Sequence, residues 1–239
     1  MPTRHPPTSQ AFKDYLQSRR EIGVLVLDMP SRKPNILTPR LADLENAICR
    51  SCIVLMSSHF ERYIEDLVVD FIDALNASPI PVSKLPDSLA IRQIETSIKT
   101  IADIKDRGKK LQALQDLDNH HSWFWGDQAS VCNTLQGDPL ISSFDNPLPN
   151  RVRDLFRNFD ISDAVGMAIS KDTRSNRGVI EALVKELVEK RNAIAHTGMT
   201  VSVTKQQVMD YFDSVYRLAF GIDWVVGERI EQLIGHWPW

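Results

Sequence analysis

The feature that most constrains this chain is an apolar stripe running unbroken from Pro39 to about Asn76. Leu44, Ile48, Cys52, Leu55, Met56, Tyr63, Leu67, Phe71 and Ala74 recur mainly at threes and fours, the period of a helix with one face in a core. Thr38 and Pro39 open it with a hydroxyl cap and a first-turn proline. The run Ser78-Pro79-Ile80-Pro81 ends it. A chain that commits this much of itself to one helix must find helical partners for the stripe.

The remaining pattern supplies them. A helix is expected from Gln10 to Leu27 with Ser9 as cap, followed by a linker, Met29 to Pro39, that holds three prolines. Another helical region spans roughly Asp87 to Leu117, weakened at Gly108. Two short helices fall between Arg151 and Ile169, and a longer one between Thr173 and His196, stopped at Thr197-Gly198. The last runs from a Thr204 cap to about Ile234. Residues 119–150, with His120, His121, Trp123, Trp125 and several turn signals, read as an irregular insertion that acts as a lid or a partner surface. Weak strand patterns occur only at Gly23–Leu27 and Met199–Val203. The expected fold class is therefore all-α: an extension with one helix over residues 1–39, then a helical domain over 40–235 that carries the 119–150 insertion.

Bulk properties exclude several functions. At 43% hydrophobic and 25% charged residues the chain reads as an ordinary globular protein. A net charge of −3 excludes a basic coat, so any nucleic-acid binding is a property of a site. Cys49 and Cys52 form a C-x-x-C inside the long helix, with no second pair to complete a zinc site, and are read as two small buried thiols. Cys132 leaves the count odd, so no disulfide framework is expected. The polar, proline-rich start resembles no secretory signal and no apolar run is long enough to span a membrane, which makes the cytoplasm the expected address. No glycine-rich phosphate loop precedes a helix, so nucleotide binding lacks support.

The segment Glu189 to Gly198 carries the chemistry. Its helix buries Ile180, Leu183, Val184, Leu187, Ile194 and Ala195, and Arg191 falls in the middle of that stripe. A guanidinium there cannot shed its charge and needs an anionic partner. Asn192 and His196 stand four apart beside the stripe, and His196 lies in the last turn, where the helix dipole favours an imidazolium. These residues are consistent either with an internal salt bridge plus a capping histidine, or with a reactive cluster. Arg191 and His196 are five apart, about 140° around an ideal helix, and converge only through long side chains or an unwound last turn.

Arg191-Asn192-Ala193-Ile194-Ala195-His196 resembles the R-x4-6-H signature of the HEPN superfamily, with the polar residue usual just after the arginine and one long helix following. Two further stretches resemble its RiboL-PSP branch. Ser57 to Leu67 is similar to the early long helix, with Glu61 ahead of an aromatic-aliphatic pair, and Val152 to Ile161 is similar to the segment before the catalytic helix. The resemblance covers roughly residues 40–235, apart from the insertion. It implies a helical bundle, up and down, that dimerises so that both motifs line one cleft, and an endoribonuclease that uses no metal or other cofactor. In that reading His196 moves protons, Arg191 stabilises the crowded phosphorane, and Asn192 orients one of them or the phosphate. A dimer also lets Arg191 find its partner across the interface while His196 flanks the groove. Glu61 matches the family's early acid and holds Arg191 or His196 in place, unless it is a solvated surface acid.

Other candidates are weaker. His59 lies on the buried stripe and reads as a hydrogen-bonded core histidine rather than a second catalytic group. His120-His121, with Trp123 and Trp125, have no nearby ligand set for a metal. Arg151, Arg153 and Arg157 either meet RNA phosphates or form a solvated face. Members of the family silenced by adenylylation carry a tyrosine where this chain has Gly198, so that control is not expected. The reading that results is an RNase, the toxic half of a toxin–antitoxin or phage-defence system with an antitoxin protein as partner. Its rival is a non-catalytic HEPN-like module for dimerisation or protein binding.

Overall fold

Local chemistry sets the helix boundaries. In the computed structural model, which describes residues 7–29, 39–121, 134–171, 176–197 and 201–239, no strand occurs among the described residues. Ser9 caps α1 (Gln10–Leu27) by accepting from the Phe12 amide at 3.0 Å. The long helix α2 (Pro39–Asn76) is 38 residues, about 57 Å at 1.5 Å per residue. Five shorter helices follow: α3 (Asp87–Asp103), α4 (Arg107–His121), α5 (Asp138–Ile141), α6 (Pro149–Phe156) and α7 (Ala164–Ser170). Then come α8 (Arg177–Thr197) and α9 (Lys205–Ile234). The last opens on a reciprocal capping box, Thr204 with Gln207, and stops at Gly235 in the left-handed region, φ 89°.

Contacts along the helices give their directions. Ala11 meets Asp70, Glu21 meets His59 and Met29 meets Cys49, so α1 runs antiparallel to α2. Ser9 meets Asp223 and Arg19 stacks on Phe212 and Tyr216, so α1 is antiparallel to α9 as well. Thus α2 and α9 run parallel, joined by the buried Tyr63 hydroxyl donating to the Ala219 carbonyl at 2.8 Å. Glu186 lies near Tyr211, and the first half of α8 shares a groove with Asp210, Asp213 and Arg217, which makes α8 antiparallel to α9 and hence to α2. The four long helices therefore form an up-and-down bundle, with α3 to α7 inserted between its second and third members. Phe12, Tyr15, Tyr63, Tyr216 and Phe220 pack together where α1, α2 and α9 meet. Beside them α7 crosses α9 so closely that a Cβ on Gly221 would lie 2.3 Å from the Ala168 carbonyl oxygen.

Several boundaries differ from those expected. The Asp87–Leu117 run is two helices, and the break lies at 104–106 rather than at Gly108. Asp106 causes it: its side chain accepts from the Lys109 amide at 2.8 Å and starts a new helix, leaving Gly108 within the first turn. Gly23–Leu27 is helical and forms the last turns of α1, where Val26 is buried one turn after Ile22 while Val24 and Leu27 are exposed. Where described, residues 134–150 are tied to the core. The Asn76 amide bonds both backbone groups of Leu135 (2.9 and 3.0 Å), and the Gln93 amide bonds both of Gln136 (2.8 and 2.9 Å). Trp123, Trp125, Cys132, Gly198 and the expected helix start at Thr173 lie outside the described residues, as do the side chains of His120 and His121. Among the described residues no helix is long and apolar enough to cross a membrane.

Candidate active site

The site forms where α8 leaves the bundle. The helix is anchored by Val184, Leu187 and Val188, each fully buried or nearly so, and its exposure then rises toward the C-terminus. Arg191 is the first residue past that anchor to face α2, and it keeps a quarter of its side chain exposed. Its Nη2 stands 3.5 Å from Glu61 Oε2 across the helix pair, and its Nη1 donates to Asn192 Oδ1 at 3.0 Å. A guanidinium has five donors, so these two contacts leave it spare hydrogen-bonding capacity. The contact to Glu61 is long for a charge-assisted bond, which favours neither a tight internal lock nor a free arginine.

Glu61 is more buried than its partner, 19% exposed. Burial raises its carboxyl above the usual carboxylate range; Arg191 opposes this, while Glu65 and Asp145 add to the rise. Two further carboxyl groups therefore lie close enough to Glu61 to oppose its ionisation. Glu65 stands one helical turn from Glu61, a spacing visible in the sequence. Asp145 comes from the irregular chain before α6, where no periodicity announces it.

His196 lies in the last turn of α8, exposed, with no hydrogen bond or ion pair among the described residues. It stands five positions after Arg191, about 7.5 Å of helix rise, and α8 stays helical through Thr197. No unwound last turn reunites the two groups, so within one chain they sit on different flanks of the same helix end.

The other candidates fall elsewhere. His59 is two residues from Glu61 and faces α1, its Nε2 3.9 Å from Glu21, so it does not join Arg191. That Nε2 is buried and makes no hydrogen bond, unlike the hydrogen-bonded core histidine expected. Arg153 is a structural clamp: its Nε reaches Asp163 at 2.8 Å and its Nη2 reaches Glu181 at 2.7 Å, tying α6 to α7 and α8. Arg157 pairs with Asp154, whereas Arg151 is exposed. Cys49 and Cys52 are buried free thiols, and burial pushes Cys52 up to about 11, which suits packing rather than reactivity. Among the described residues no group of three or more histidine, cysteine or carboxylate side chains is placed to hold a metal ion.

The model of the RiboL-PSP-HEPN family matches residues 16–223. The chain belongs to this family. The matched segment starts inside α1, ahead of the residue 40 at which the sequence resemblance starts, and α1 packs against α2 and α9. No curated protein and no solved structure matches the chain.

Proposed function

We propose that this RiboL-PSP-HEPN chain is a metal-independent endoribonuclease that acts as a homodimer. One observation carries the reading: Arg191 is held at a helix end by one long ion pair and one neighbouring amide, with donors to spare, on the same helix terminus as an exposed His196 that has no partner among the described residues. RNA cleavage needs a base for the 2′-hydroxyl, cationic support for the phosphorane and an acid for the leaving 5′-oxygen. The His196 imidazole serves as the proton-transfer group, and the Arg191 fork receives the non-bridging oxygens. Asn192 and Glu61 position that fork. The 2′-oxygen bonds to phosphorus as the bond to the 5′-oxygen breaks, leaving a 2′,3′-cyclic phosphate and a 5′-hydroxyl. Two copies facing each other would set one protomer's His196 beside its partner's Arg191, answering the separation within a single helix. A toxin of a toxin–antitoxin or phage-defence pair, restrained in the cytoplasm by an antitoxin protein, is the biological setting such an activity suits.

One observation favours a second reading. Arg191 already has a carboxylate partner inside its own chain, as an arginine serving only to join two helices would. The two readings part on total-RNA cleavage in EDTA and growth arrest on induction, compared for wild type, Arg191→Ala and His196→Ala. The nuclease reading expects both variants to lose both effects. Equal behaviour of the three proteins would leave the dimerisation module standing.

A further inference from the structure

The face of α2 that carries Glu61 has a charge gradient along it. Residues 50, 54, 57 and 61 follow one another at spacings of four, three and four, so Arg50, Val54 and Ser57 share the side of the helix that meets α8. Arg50 stands eleven residues before Glu61, about 16 Å along the axis. It is half-buried and pairs with no carboxylate among the described residues. Because α8 runs antiparallel to α2, its last turn advances from the Arg191–Glu61 contact toward this N-terminal half of α2. His196 and Arg50 therefore lie on the same side of that contact. On the opposite side along α2 stands Glu65, one turn past Glu61 and close enough to raise its carboxyl. Beyond Arg50, the exposed Asp43 returns the α2 face to negative charge almost two turns further on.

A polyanionic strand laid across Arg191 meets the Arg50 guanidinium in one direction and the Glu65 carboxylate in the other. An arginine half-desolvated with no carboxylate partner among the described residues is suited to receive an anion, because a guanidinium cannot neutralise itself. We propose that single-stranded RNA leaves the cleavage site along the N-terminal half of α2, and that Arg50 binds a backbone phosphate a few nucleotides from the scissile one. The proposal rests on the nuclease reading and deepens it by giving the substrate a direction and a second anchor. Arg50 touches bound RNA but not the reacting atoms, so it governs binding of long substrates and leaves the chemical step alone.

The test uses full-length wild type, Arg50→Ala, Arg50→Lys and Glu65→Gln, each checked for native circular dichroism. Binding of a fluorescent, fully 2′-O-methylated oligoribonucleotide, which cannot be cleaved by 2′-oxygen attack, is followed against salt. Loss of one phosphate contact lowers the slope of log affinity against log salt by about 0.7 for a single strand. Arg50→Ala is expected to show that loss, Arg50→Lys to retain the wild-type slope, and Glu65→Gln to keep it. In cleavage, Arg50→Ala should raise KM for long RNA several-fold and leave kcat, and the turnover of a dinucleotide, at the wild-type level. An unchanged slope and KM in Arg50→Ala, with wild type binding and cleaving, overturns this inference and spares the nuclease reading. Wild type that neither binds nor cleaves RNA overturns both.

Discussion

The start of α1 is fastened to the bundle by a carboxyl group, and the fastening is predicted to respond to pH. Asp223 is 2% exposed and accepts from both the hydroxyl and the amide of Ser9, the residue that caps α1. Burial raises its pKa from the ordinary 3.8 to about 6; the hydrogen bonds from Ser9 oppose that rise, and Asp70 nearby adds to it. A carboxyl moved this far favours its protonated form in the folded state by about 3 kcal/mol, at roughly 1.4 kcal/mol per pH unit. Since the folded value lies above the unfolded one, that stability is fully present below about pH 4 and is lost as pH rises through about 6. Asp223→Asn mimics the protonated acid at every pH, so the stability gap between variant and wild type reads this group directly. Relief of Asp70 in the variant acts in the same direction. Urea unfolding at about pH 4 and pH 7 should show the gap moving in favour of the variant by about 2 kcal/mol, since part of the effect is already lost at pH 4. A gap that stays constant, or moves the other way, would refute the argument that burial holds the proton on Asp223.

Three further outcomes follow from the packing and the site. Gly221→Ala sets a methyl group 2.3 Å from the Ala168 carbonyl oxygen, so thermal unfolding should show a loss of about 2 kcal/mol rather than the gain usual for alanine in a helix. Arg153→Ala strands Asp163 and Glu181 without their shared cation and should cost about 2 kcal/mol in urea unfolding at neutral pH. On the nuclease reading, Glu61→Gln leaves the fold intact but loosens the aim of Arg191, and kcat for RNA cleavage should fall roughly tenfold to a hundredfold with little change in KM.

The bundle was legible because its four long helices write themselves in period and punctuation. Ser9, Pro39, Thr204 and Ile234 stand where the expected ends lie, since hydroxyl caps and a first-turn proline act through neighbours in the chain. The break between α3 and α4 is not legible in the run expected as one helical region, because a glycine weakens a helix visibly, whereas Asp106 starts a new one by accepting a single hydrogen bond. The anchoring of residues 134–150 was hidden for a related reason: Asn76 and Gln93 mimic backbone pairing with side-chain amides, and hydropathy does not register this. In the site, Arg191 beside Asn192 and across from Glu61 follows from helix spacing and the family pattern together. Asp145 did not follow, because contacts from irregular chain depend on tertiary placement alone. The tie of Arg153 to Asp163 and Glu181 was likewise hidden, because it joins three helices that hydropathy does not bring together.

The central claim is that an imidazole and a guanidinium at the end of α8 drive attack by a ribose hydroxyl on its own phosphate. Mass spectrometry of the ends left on a defined RNA, after incubation with the full chain in chelator, tests it most directly. Wild type should leave 2′,3′-cyclic phosphate and 5′-hydroxyl ends, and His196→Ala should leave the RNA whole. Products bearing a 5′-phosphate and a free 3′-hydroxyl, or RNA left intact by the wild type, would contradict it.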